Sequence, residues 1–106
     1  MTLSIKQAIE TEVLSWPEVS QQPHRFGGTE YLYREQEIGH LHGEQLLDVL
    51  FPKTLRDDLV NMGNARPHHI YPDSGWVSYY LRTCEDAAGA IALLRLKYDR
   101  MTAKPD

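Results

Sequence analysis

All five histidines lie between positions 24 and 69, and two stand at i and i+2 in Glu37-Ile38-Gly39-His40-Leu41-His42-Gly43. On a strand, that spacing sends both imidazoles to one side, where a pair of rings can ligate a divalent ion if a third group converges on them. His68 or His69 from a later strand is the natural third group. That makes His40, His42 and His69 the metal-ligating alternative, with Asp73, Glu37 or Glu44 as an oxygen ligand. A bound ion would lower the pKa of a water, and Glu37 or Glu44 would serve as the base of a metal-assisted hydrolase. No HExxH, CxxC or spaced-carboxylate motif reinforces that reading. The leading expectation therefore has no cofactor. Arg25, His40, His42, His68, His69 and Trp76 line a pocket for a small polar or anionic molecule or a partner protein, with donors converging on a rigid sheet beside aromatic surface.

Other candidates resolve to structural roles. Pro67-His68-His69-Ile70-Tyr71-Pro72-Asp73-Ser74-Gly75-Trp76 holds His, Asp and Ser in a short span, but a triad needs a geometry that neighbours in a tight turn do not supply, and Ser74 lacks the GxSxG elbow. Asp73 and Ser74 read as turn residues. Cys84 falls at a helix start, where the dipole can lower a thiol pKa; with no partner apparent it reads as a half-buried packing residue. Gly27-Gly28 lacks the spacing of a phosphate loop and precedes a strand, so it is a turn. The Arg25 guanidinium can make bidentate contact with a carboxylate, either an internal one such as Glu30 or Glu37, which is favoured, or that of a ligand in the pocket. Tyr31, Tyr33, Trp76, Tyr79 and Tyr80 alternate on strands and are expected in the core.

The elements that must hold these residues follow from periodicity. Ile5, Ala8, Ile9, Val13 and Trp16 fall at helical spacing behind a Ser4/Gln7 capping box, and Pro17 ends that helix. A strand meander runs from Val19 to His42, its third strand from about Glu37. Leu46 to Phe51 reads as a short strand or an irregular edge segment. Pro52 opens a second helix carrying Leu55, Leu59 and Met62 inward, and Gly63 closes it. Arg66–Tyr71 and Gly75–Arg82 read as a hairpin about Pro72-Asp73-Ser74-Gly75, with Asp73 bonding back to the backbone. Thr83 and Asp86 start the last helix, with Ala87, Ala88, Ile91, Leu94, Tyr98 and Met101 as its inward stripe. This order predicts an α+β fold: an antiparallel sheet of about five strands, three helices packed mainly on one face, and an open face for a site.

The chain has 106 residues, 42% hydrophobic and 25% charged, one cysteine and a net charge of −4. These numbers predict a single domain over residues 1–101 with a polar tail at 102–106, stable without disulfides. The acidic balance and scattered basic residues disfavour nucleic acid as a partner. With no apolar run of about 18 residues and no signal-peptide pattern, the expectation is a cytoplasmic protein with no membrane segment.

The phrases PHRFGGTEY, EIGHLHG, PHHIYPDSGWVSYYL and AIALLRLKY, in that order, resemble the small bacterial luciferase-domain family, over about Trp16 to Tyr98. The resemblance implies a shared site or framework at His24, Arg25, Gly27, Gly28, Glu37, Gly39, His40, His42, Gly43, His68, His69, Ser74, Gly75 and Trp76. It implies no light emission. Flavin luciferases resemble barrel-forming chains of about 250 residues, which this length cannot form. A second likeness, to YjbR-type double-wing domains, rests on the order of elements and would make DNA binding the third function to consider; fold alone does not transmit function.

Overall fold

A computed structural model describes residues 3–103. Helix α1 (Ile5–Val13) starts as its sequence dictates: the Ser4 side chain accepts from the Gln7 amide and the Gln7 side chain accepts from the Ser4 amide. Strands β1 (Val19–His24), β2 (Gly28–Tyr33), β3 (Gln36–His42) and β4 (Leu46–Leu50) follow, with a 3-10 turn at Arg25–Gly27. Helix α2 (Lys53–Asn61), strands β5 (Arg66–Pro67) and β6 (Trp76–Tyr80), and helix α3 (Asp86–Thr102) complete the chain. All strand pairs are antiparallel, in the order β1-β2-β3-β4-β6-β5.

The α+β class and the one-sided packing of helices are as expected; the sheet has six strands. The difference lies in Leu46–Leu50, which is not an edge but the strand between β3 and β6. Its position follows from its composition, since Leu47 and Val49 are fully buried against the helix side while Asp48 is buried on the other. Register makes the division of faces explicit. Thr29, Leu41, Leu47 and Tyr79 are directly opposed across β2, β3, β4 and β6, and the Tyr79 hydroxyl lies where a Cβ on Gly89 of α3 would project. This row therefore faces the helices, which explains the glycine in the first turn of α3. Side chains one position along face the opposite way.

Helices α1 and α3 pack together over that face, closed by Ile9, Val13, Ala90, Leu94 and Tyr98, and the Tyr98 hydroxyl donates to the Pro17 carbonyl at 3.0 Å. Tyr31, Tyr33 and Tyr79 join this core as expected, while Trp76 lies on the other face of the sheet, opposite Leu50. Gly63 takes a positive φ of 79° and ends α2 with its own amide and that of Asn64 bonded back to Val60 and Leu59, a Schellman closure.

Three side-chain expectations are corrected. Met62 is 72% exposed, because it follows the last helical residue instead of continuing the stripe. Ala88 is exposed and Ala90 and Leu93 take the inward positions. Cys84 is exposed, since the segment before α3 runs over the surface. The last three residues of the expected tail, 104–106, lie outside the described residues, and Thr102 belongs to α3.

Candidate functional site

One row of directly opposed residues crosses the entire sheet: Gln22, Glu30, His40, Asp48, Ser78 and Arg66. Being one position out of phase with the helix-facing row, it lies on the opposite face. Asp48 is at its centre and has no solvent exposure. A buried carboxylate is tolerable only with partners on its oxygens. Asp48 has them: Oδ1 accepts from the Ser78 hydroxyl at 2.8 Å, and Oδ2 lies 2.8 Å from His42 Nε2, 3.2 Å from His68 Nε2 and 3.5 Å from His40 Nε2. His69 Nδ1 stands 3.9 Å from Oδ1 and 3.3 Å from the Ser78 hydroxyl. Four imidazoles thus surround one carboxylate.

His40 and His42 reach it from β3, adjacent to β4, because residues two apart share a face. His68 and His69 arrive differently. The strand expected over Arg66–Tyr71 stops at Pro67, and β5 neighbours β6 rather than β3. The chain then turns back over the sheet, with the amides of Ile70 and Tyr71 donating to His68 Nδ1 at 3.1 and 3.0 Å. Farther along the same loop, the Ser74 hydroxyl donates to the Tyr71 carbonyl and accepts from the Trp76 amide, taking the role expected of Asp73. Arg56 of α2 donates to the Pro72 carbonyl and ties the loop down. Trp76 borders the cluster, its ring 5.4 Å from that of His40 and 6.0 Å from that of His68.

A second layer of carboxylates supports the first. Glu37 Oε2 is 2.8 Å from His40 Nδ1, and Glu30 Oε1 is 2.7 Å from His24 Nδ1, whose ring stacks on that of His40 at 4.1 Å. Arg25 pairs with neither Glu30 nor Glu37, since histidines hold both, and its side chain is exposed. Glu44 is exposed on the β3–β4 turn. Asp48 is the residue that sequence reasoning missed. The signal was present in Leu46-Leu47-Asp48-Val49-Leu50-Phe51: a lone carboxylate inside an apolar strand has to be paired.

The electrostatics follow from these contacts. Burial pulls the His40 pKa down, but hydrogen bonding to Asp48 and Glu37 outweighs it and raises the value to about 9. Burial opposes ionisation of Asp48, yet the bonds from His40, Ser78 and His42 hold its pKa well below the usual carboxylate range. His68 is shifted down, first by burial and then by the nearby His69 and His40 rings, against the pull of Asp48. For His40, whose pKa is raised on folding, the stability contribution is complete below the unfolded value of 6.5 and disappears as pH rises through about 9. For Asp48, whose pKa is lowered, the contribution is complete above its unfolded value and disappears as acid protonates it. His68, whose pKa is lowered, instead loses its contribution as pH falls below 6.5, so with chelator present urea midpoints are expected to be highest near pH 6.5 and to fall on both sides. A midpoint that rises from pH 7 to 9 would contradict this.

His40, His42 and Asp48 bring one ligand atom each within 4.8 Å of one another; so do Asp48, His68 and His69, and His24, Glu37 and His40. Ligand atoms around a tetrahedral or octahedral ion with bonds of about 2.0–2.1 Å lie about 2.9–3.4 Å apart. The 2.8 and 3.5 Å separations from Asp48 Oδ2 to His42 and His40 bracket that range, and the 3.2 Å to His68 lies within it.

The family model described as Luciferase domain matches residues 35–97, more than half of the chain. The chain belongs to the luciferase-domain family. No curated protein and no solved structure matches it, and no comparison supports the double-wing likeness. In this luciferase domain the matched stretch contains the entire surround of Asp48, from Glu37 on β3 to Ser78 on β6, whereas His24, Arg25 and Glu30 precede it. No helix among the described residues is long and apolar enough to cross a membrane.

Proposed function

We propose that this domain holds one divalent transition-metal ion at His40, His42 and Asp48, and that the ion's remaining positions bind a small polar or anionic molecule. The observation that carries this reading is a carboxylate without solvent exposure ringed by four imidazoles. Nitrogen and oxygen donors of this kind suit first-row divalent ions. The His40–Glu37 contact is the outer carboxylate that orients a ligating histidine. Such an ion would polarise a bound ligand or acidify a bound water.

A metal-free anion pocket has less support. Glu30, Glu37 and Asp48 already engage nitrogens of His24, His40, His42 and His68, so few imidazole donors are left for an incoming anion. The hydrolase alternative lacks its expected base, because Glu37 is bonded to His40 and Glu44 is exposed on a turn. Thermal denaturation with and without added Zn²⁺ or Co²⁺ tests the proposal. Stabilisation that disappears in a His40→Ala, His42→Ala double variant supports it, and an unchanged wild-type melting temperature rejects it.

A further inference from the structure

Four imidazoles approach Asp48, but the partner on the far side of each ring decides which has a lone pair to offer. A neutral imidazole carries one N–H and one lone pair, so assigning either nitrogen assigns both. Glu37 faces His40 Nδ1 at 2.8 Å. An ionised carboxylate only accepts, so Nδ1 carries the proton and a neutral His40 keeps its lone pair on Nε2, toward Asp48.

His68 has the opposite arrangement. Two backbone N–H groups, from Ile70 and Tyr71, donate to its Nδ1, which must therefore carry the lone pair. Its proton is on Nε2 and is donated to Asp48 Oδ2 at 3.2 Å. To ligate through Nε2, His68 would have to become an imidazolate or surrender both backbone bonds that shape the turn. His69 is also a donor toward the cluster. The single Ser78 hydroxyl proton goes to Asp48 Oδ1, so Ser78 accepts from His69 Nδ1. His42 Nε2 lies 2.8 Å from Oδ2, with no partner on Nδ1 among the described residues, so the proton can reside on Nδ1 and the Nε2 lone pair can face the ion.

Resting on the metal centre proposed above, we infer that His68 is a positioning residue and not a ligand: it holds the Asp48 carboxylate by a hydrogen bond while His40 Nε2, His42 Nε2 and Asp48 Oδ2 bind the ion. The centre then has two nitrogen ligands and one oxygen ligand from the protein, leaving positions for water or a ligand.

Titration of Co²⁺ into chelator-stripped protein, followed by its visible absorption, tests the assignment. Wild type is expected to bind one ion with ligand-field bands. H68Q is expected to keep the same stoichiometry and band positions with affinity about 10–100-fold weaker, and H40A to lose the bands. Displaced bands in a folded H68Q, or loss as complete as in H40A, would overturn the assignment. Nitrogen-15 NMR of the Zn²⁺-loaded wild type gives the same decision without a variant. The expected result is a proton on His68 Nε2 and protons on Nδ1 of His40 and His42; a metallated His68 Nε2 overturns it. Wild type that takes up no ion would reject the metal centre itself, an outcome distinct from failure of the His68 assignment.

Discussion

Replacing Asp48 by alanine is expected to lower the stability of the metal-free domain by about 3–5 kcal/mol, the range for removing one partner of a buried charged network. The reason is the neighbourhood left behind. His40 and His68 are buried and direct Nε2 at Oδ2, and Ser78, fully buried, directs its hydroxyl at Oδ1. Without the carboxylate, the serine donor and the imidazoles lose their common acceptor, and an unsatisfied buried group costs about 1–3 kcal/mol. Asp48→Asn preserves the volume but removes the charge that helps keep His40 protonated, so its loss is expected to be smaller. Asp99→Ala is the control, because its 2.9 Å pair with Arg95 is half-exposed on α3 and such pairs contribute about 1 kcal/mol or less. Urea denaturation at pH 6 with chelator measures all three. A change under about 1 kcal/mol for Asp48→Ala would mean that the cluster is not a stabilising network.

The second large effect is stabilisation by the ion. A ligand that binds only the folded state at one hundred times its Kd adds about 2.7 kcal/mol. In a domain of about 100 residues this raises Tm by about 10 °C or more. The increment should need His40, His42 and Asp48 together, since losing any one leaves only two protein ligands. Excess chelator should reverse it. Calcium and magnesium are expected to be much weaker, because they take oxygen ligands and the site offers two imidazoles. Equal stabilisation by magnesium would argue for nonspecific charge screening.

How much of this was legible in sequence depended on the range of the interaction. The Ser4/Gln7 box, the Gly63 closure and the shared side of His40 and His42 are local consequences of cap chemistry and strand period, and each could be read directly. Asp48 was not, because its partners come from β3, from β6 and from the loop after β5, and only register brings those together. The hairpin reading of Arg66–Tyr71 failed for a related reason. Nothing nearby in sequence shows that two backbone amides will close on the His68 ring and turn the chain out of the sheet, whereas the folded site, with Asp48 waiting for donors, gives that turn its purpose. Arg25 followed the same pattern: both carboxylates near it are held by histidines whose positions depend on sheet register.

The most direct test is the metal content of protein purified without an affinity tag, loaded with Co²⁺ or Zn²⁺ and freed of excess ion. A ratio near one ion per chain in wild type, falling to near zero in folded His40→Ala, His42→Ala protein, is the expected result. A wild-type ratio near zero, or one unchanged by the double substitution, would contradict a metal centre at these residues.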